Sequence, residues 1–256
     1  MSDRSRRSGT VHWIGAGLST GHGLARICDV ADRVCLWNRT VDRAEHLARR
    51  LGLENEIHVR TLTSEALAAA LRPGDIVVSM LPATMHGDLL AMAIDAGAHF
   101  VSTSYIDDQV RELAKAAKAK GLAVVMEAGL DPGIDHLAAH LLVDSALEAV
   151  GRQPVLATFH SHCGGFPEKP NDFCYRFSWA PVGVLRALRS EARFVRDSVV
   201  QVASNPWEET RPIAVRCELF EAYPNRDSLP FLAQYRFPDS WEVSAFERGT
   251  LRLRGW

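Results

Sequence analysis

Through its first 150 residues the chain alternates short β-branched and apolar runs with segments of helical period. Residues 11–14, 33–37, 56–62, 75–81, 100–103 and 122–127 read as strands, and residues 20–29, 41–51, 64–71, 85–97, 107–120 and 133–150 as helices. Such alternation predicts a parallel α/β sheet. The run 75–81 is apolar but for Asp75 and Ser79, as expected of a strand covered on both faces. Ser64 is placed to cap its helix, Arg72-Pro73-Gly74-Asp75 to turn the chain out of it, and Gly121 to stop the helix 107–120.

The texture changes at Gly151-Arg152-Gln153-Pro154. Beyond it, aromatics become common and the apolar positions alternate over longer runs, 154–163, 211–223 and 231–237, with one helical stretch at 182–192. Two domains are therefore expected: 1–150, and an α+β domain over 151–256 with a mostly antiparallel sheet.

A composition of 47% hydrophobic and 23% charged residues over 256 positions suits a globular chain able to bury a core. The net charge of −2 gives no electrostatic case for nucleic acid or an anionic membrane. The opening MSDRSRRSG is basic and has no apolar stretch behind it, so it reads as a tail rather than a signal peptide. No apolar run approaches the roughly 18–20 residues that span a bilayer. Five cysteines without a CxxC pair argue against a disulfide framework and for a reducing cytoplasm.

The first strand ends in Gly15-Ala16-Gly17 and a helix follows. A glycine there permits the tight turn, and a second lets a pyrophosphate approach the backbone at a helix N-terminus. Thr20 stands where the dinucleotide fingerprint has its third glycine, and Gly21 comes one residue late. The first domain is thus expected to be a Rossmann-type α/β unit. Its second strand ends in Asn38-Arg39-Thr40, where NAD enzymes usually carry Asp or Glu for the ribose hydroxyls. With no carboxylate to repel a 2′-phosphate, and a guanidinium and hydroxyl to bind it, NADP is favoured over NAD. The alternative is that Arg39 is a solvated surface charge.

Ligands of open parallel sheets sit beyond the carboxyl ends of the strands. Those ends are Gly15–Gly17, Asn38–Thr40, Leu81-Pro82, Ser102–Tyr105 and Ala128–Asp131, so five loops should share one rim. That placement alone brings Tyr105 and Asp131 near a bound nicotinamide. The same rim supplies expected cofactor contacts at Gly15, Gly17, Leu18, Asn38, Arg39, Thr40, Leu81, Pro82, Ser102, Thr103 and Leu130.

Several motifs follow one another in a recognisable order: Val78–Pro82 (VSMLP) with His86, Val101–Tyr105 (VSTSY), Glu127–His136 (EAGLDPGIDH), His162–Pro167 (HCGGFP), Tyr175–Trp179 (YRFSW), Ala222–Ser228 (AYPNRDS) and Arg248–Arg252 (RGTLR). Together they resemble the saccharopine dehydrogenases of the NADP-dependent, L-glutamate-forming type, over nearly the whole chain. The resemblance implies reversible chemistry at a secondary amine. In one direction 2-aminoadipate semialdehyde and glutamate condense to an imine, which is reduced to saccharopine. In the other, saccharopine is oxidised and hydrolysed.

The resemblance carries acid–base roles onto Tyr105, Asp131 and Cys163, cofactor contacts onto Ser79 and His86, and substrate contacts onto Asn171, Arg226 and Thr250. A secondary ammonium must lose a proton before hydride can leave, and carbinolamine collapse needs a donor. Asp131-Pro132 ahead of a helix also suits a helix start, and Cys163 also suits a small buried residue. His160 and His162 share one face of a strand, yet nothing further completes a coordination shell, so no metal is expected. In the family, RGTLR leads into a helical section that returns to the nucleotide domain; here the sequence runs to Gly255-Trp256. Three readings stay open: a saccharopine reductase, a carboxynorspermidine-type relative, and a non-catalytic NADP-binding protein. The expected partner is a small amino acid, and the oligomeric state, homodimer included, is not fixed by sequence.

Overall fold

The computed structural model describes residues 9–169 and 171–256, so the expected N-terminal tail falls, apart from Gly9, outside the described residues. The chain forms two compact units, one reaching to Gly133 and one spanning Ile134–Trp256.

The first unit contains β1 (Val11–Ile14), α1 (His22–Cys28), β2 (Val34–Asn38), α2 (Val41–Leu51), β3 (Ile57–Thr61), α3 (Ser64–Ala70), β4 (Ile76–Ser79), α4 (His86–Ala96), β5 (His99–Ser102), α5 (Asp108–Ala119) and β6 (Val124–Val125). All six strands are parallel, in the order β3-β2-β1-β4-β5-β6. This is the doubly wound Rossmann arrangement, with its switch point between β1 and β4. Alternate strand residues feed two cores. Ile14, Cys35, Trp37, Val77 and Phe100 pack with α3, α4 and α5. Val11, Trp13, Val34 and Leu36 pack with α1 and α2. The central strands are covered on both faces, which is why their sequences are largely apolar.

Two local expectations need correcting. Thr63, not Ser64, caps α3, its hydroxyl accepting from the Ala66 N–H at 3.1 Å. The run 122–127 yields a strand only at Val124–Val125, because Glu127 takes a left-handed φ of 58° and bends the chain away.

The second unit contains α6 (Ile134–Val150), β7 (Val155–Cys163), α7 (Pro181–Leu188), β8 (Ala192–Arg196), β9 (Val199–Ala203), β10 (Arg211–Val215), β11 (Glu218–Pro224), α8 (Pro230–Gln234) and β12 (Trp241–Leu253). Its sheet runs β10-β11-β12-β8-β9 with antiparallel neighbours, and β7 adds to β12 in parallel. The stretch 231–237 is not a strand. Phe231 in α8 and Tyr235 at its C-terminal cap sit one helical turn apart, their rings 5.7 Å apart, and Tyr235 packs on Phe159 and Phe246. The run 211–223 is two strands, broken where Arg216 takes a φ of 54°. The helix expected to 192 ends at Leu188, since Ala192 already pairs with Ala203. Among the described residues no helix is long and apolar enough to cross a membrane.

Candidate active site

The nucleotide turn is built by close packing and one threonine. Gly15 has φ +110°, and a Cβ there would meet Leu81 Cδ2 at 3.2 Å and the Met80 carbonyl at 3.3 Å. Only glycine relieves both constraints. Thr20, buried at 1% exposure, donates its hydroxyl to the Gly15 carbonyl at 2.9 Å and accepts from the Trp13 indole at 3.2 Å. The missing third glycine is therefore replaced by a side chain that clamps the turn from inside.

Asn38 ties this turn to the next loop. Its Oδ1 accepts from the Ala16 N–H at 3.2 Å, and its Nδ2 donates to the Thr40 carbonyl at 2.8 Å. Both ends of the amide thus serve loop geometry. Arg39 and Thr40 are exposed beside it, and Arg39 forms no ion pair among the described residues. Leu18 and Leu130 are exposed too, at 56% and 61%. Pro82 is also exposed, while Gly17, Leu81 and Thr103 are half-buried.

Ser79, His86 and Ser102 are buried, and their side chains face one another. His86 Nδ1 lies 3.0 Å from Ser79 Oγ; its Nε2 lies 3.0 Å from Ser102 Oγ and 2.8 Å from Ser104 Oγ. Ser102 gives its proton to the Ser79 carbonyl at 3.2 Å. A neutral imidazole with its proton on Nε2 meets the remaining contacts. Burial pushes the His86 pKa below its ordinary 6.5, against the pull of Asp107. The cluster fastens the tips of β4 and β5 together. Ser104 belongs to it and was absent from the sequence reading; its adjacency to Ser102 was the available signal.

Immediately after this cluster, the Tyr105 hydroxyl donates to Asp131 Oδ1 at 2.6 Å, both residues half-buried. The loops that carry them are laced together by main-chain bonds: Glu127 N–H to Ser104 O at 3.1 Å and Ala128 N–H to Ser102 O at 3.1 Å. The five strand-end loops thus do share one rim, and Tyr105 and Asp131 meet on it.

In the second unit the register gathers another group. Cys163 of β7 and Tyr223 of β11 both pair with Thr250 of β12, so the three side chains share a sheet face. Asn171 donates to the Tyr175 carbonyl at 3.2 Å. Arg226 lies in the loop after β11 with a left-handed φ of 57°, its carbonyl accepting from the Arg193 N–H at 3.0 Å. Gly164 is forced by packing, since a Cβ there would lie 2.1 Å from the Leu251 carbonyl. His160 and His162 point to the opposite face, their rings stacked with centroids 6.0 Å apart. Among the described residues no group of three His, Cys, Asp or Glu is disposed to hold a metal.

Residues 11–125 match the model of the saccharopine dehydrogenase NADP binding domain, and residues 129–256 that of the saccharopine dehydrogenase C-terminal domain. The chain belongs to the saccharopine dehydrogenase family. It is 36% identical over 253 residues to saccharopine dehydrogenase [NADP(+), L-glutamate-forming] of Pyricularia oryzae, covering 96% of this chain and 55% of that protein. The same-named protein of Saccharomyces cerevisiae is 36% identical over 224 residues, covering 85% and 49%. The solved apo structure of saccharopine dehydrogenase (L-Glu forming) from Saccharomyces cerevisiae superposes with a TM-score of 0.81 at 32% identity, over 97% of this chain and 56% of that one. The chain thus spans about half the length of these relatives.

Proposed function

We propose that the protein catalyses the reversible NADP(H)-linked interconversion of saccharopine with 2-aminoadipate semialdehyde and L-glutamate. One observation carries this reading: the Tyr105–Asp131 hydrogen bond on the rim that holds the glycine turn, within a family of NADP-dependent L-glutamate-forming enzymes.

The residues present fit NADP. Gly15 leaves a cradle that a Cβ would fill, and β2 ends without a carboxylate but with the exposed Arg39 and Thr40. These two would hold the 2′-phosphate, while Gly17 and Leu18 would border the pyrophosphate. The buried side chains of Ser79, His86 and Ser102 would shape the rim, with Leu81, Pro82, Thr103 and Leu130 lining it. When bound, NADP supplies the hydride acceptor in oxidation and the donor in reduction.

In the oxidative direction Asp131 takes the proton of the secondary ammonium, freeing the nitrogen lone pair that expels hydride from the adjacent carbon. Asp131 releases that proton to solvent; water then adds to the imine carbon as one of its protons passes through Tyr105 to nitrogen, and the carbinolamine collapses to amine and aldehyde as Asp131 takes the hydroxyl proton. Cys163 is proposed as a further proton carrier, and Asn171, Arg226 and Thr250 as contacts for the substrate's carboxylates and polar groups. Five cysteines without a CxxC pair accord with a cytoplasmic setting. The net charge of −2 accords with a small amino-acid partner rather than nucleic acid; a homodimer is a matter for sedimentation velocity. The test is dinucleotide reduction by the 256-residue chain given saccharopine or carboxynorspermidine, with NADP or NAD. Saccharopine with NADP should be turned over fastest; failure of every pair would overturn the reading.

A further inference from the structure

A buried cation in the second unit lacks a counter-charge. Arg252 of β12 is 7% exposed, and its guanidinium carbon lies 4.8 Å from the Tyr175 ring, 4.9 Å from the Trp256 ring and 5.7 Å from the Tyr223 ring. Aromatic faces attract the charge but accept few of its hydrogen bonds. Of the five N–H donors that a guanidinium carries, one is used among the described residues, Nη2 donating to the Tyr223 hydroxyl at 3.1 Å. Nε is sealed from solvent with no acceptor, while Nη1, also without one, is not sealed. No carboxylate of the described residues pairs with it. The other deeply buried arginine of the same strand, Arg248, has the Asp135 carboxylate at 2.6 Å.

A buried charge is normally paired, because desolvation without a partner costs far more than ring contacts return. An arginine held rigidly between aromatic faces with a free edge is instead preorganised for an incoming carboxylate, which it meets in bidentate fashion. Its position fits that use. Arg252 lies two residues beyond Thr250 on the same sheet face, beside Tyr223 and next to the group containing Cys163.

The structure assigns Arg252 as a carboxylate anchor for the amino-acid substrate, a specificity residue distinct from Arg226. This assignment rests on the proposed function for the identity of the substrate, but not for the chemistry of the site, which any small dicarboxylate can probe. Calorimetric titration of the 256-residue chain with glutarate, and with butyrate as the single-carboxylate control, tests it directly. Wild type should bind glutarate more tightly than butyrate. Arg252→Met should weaken glutarate roughly 10- to 100-fold and erase the difference. Arg252→Lys, which keeps the charge inside the cage, should restore part of it. With saccharopine, Arg252→Met should raise KM while leaving kcat within a few-fold. A chain that turns over no saccharopine yet binds glutarate through Arg252 would defeat the proposed function and leave the anchor standing. Saccharopine turnover with unchanged KM in Arg252→Met, or equal losses of glutarate and butyrate in the Lys variant, would overturn the anchor.

Discussion

Tyr105 and Asp131 are 26 residues apart in sequence and 2.6 Å apart in space. Nothing in the local chain brings them together. They meet because β5 and β6 are parallel neighbours, so the loops that leave their ends emerge side by side. Removing the hydroxyl should therefore impair chemistry more than folding. Tyr105→Phe is expected to lower kcat for saccharopine oxidation at least about tenfold, with a stability loss of about 0.5–1.5 kcal/mol for one hydrogen bond. Parallel kinetic and thermal-melt measurements on the variant check this; a large melt shift with normal turnover would make the bond structural only.

Cofactor choice should lie with Arg39. The exposed guanidinium stands where a carboxylate would select NAD. Arg39→Asp is expected to weaken NADP roughly 10- to 100-fold more than NAD, since it replaces a phosphate-binding charge with a repelling one. Fluorescence titration with both nucleotides decides it, and equal losses would mean that the phosphate contact lies elsewhere.

The clamp at Thr20 makes a further prediction. Thr20→Val keeps the shape but strands the Gly15 carbonyl and the Trp13 indole, both bonded to the hydroxyl at present. A loss of about 1–3 kcal/mol in stability is expected, with weaker dinucleotide binding. Thr20→Gly restores the usual fingerprint in sequence yet should also destabilise, because the clamp goes with the side chain. A more stable glycine variant would refute this role.

Much of this was legible in the chain. The first unit's central strands are covered on both faces, so they announce themselves as largely apolar runs, and glycines such as Gly52 and Gly97 mark helix ends in left-handed conformation. That Tyr105 and Asp131 share one rim followed from strand ends alone. The second unit was harder. The strand Trp241–Leu253 mixes buried Glu247, Arg248 and Arg252 with its apolar residues, because ion pairs and ring contacts take the place of hydrophobic burial. The 231–237 aromatics looked like strand alternation until Pro230 opened a helix beneath them. His86 and Arg252 could not be weighed from sequence, since whether a histidine is buried or an arginine paired depends on distant elements.

Buried histidines set the acid limb of stability. Burial lowers the pKa of His86 below 6.5 and also that of His12, where the hydrogen bond that its ring donates to Asp75 only partly offsets it. Below 6.5 the unfolded chain takes up protons that the folded chain refuses, so stability rises with pH through that window. The contribution is complete above 6.5 and drains away as pH falls through the folded values. Melting temperature should therefore fall between about pH 7 and 5, and His86→Gln should flatten that slope. A melting temperature independent of pH over this range would refute the assignment of neutral buried imidazoles.

The proton-accepting role proposed for Asp131 is tested most directly by kcat/KM for saccharopine-dependent NADP reduction across pH, in wild type and in Asp131→Asn. The variant should lose roughly 100-fold or more at its best pH. An Asp131→Asn enzyme within threefold of wild type, with the same profile, would contradict the account.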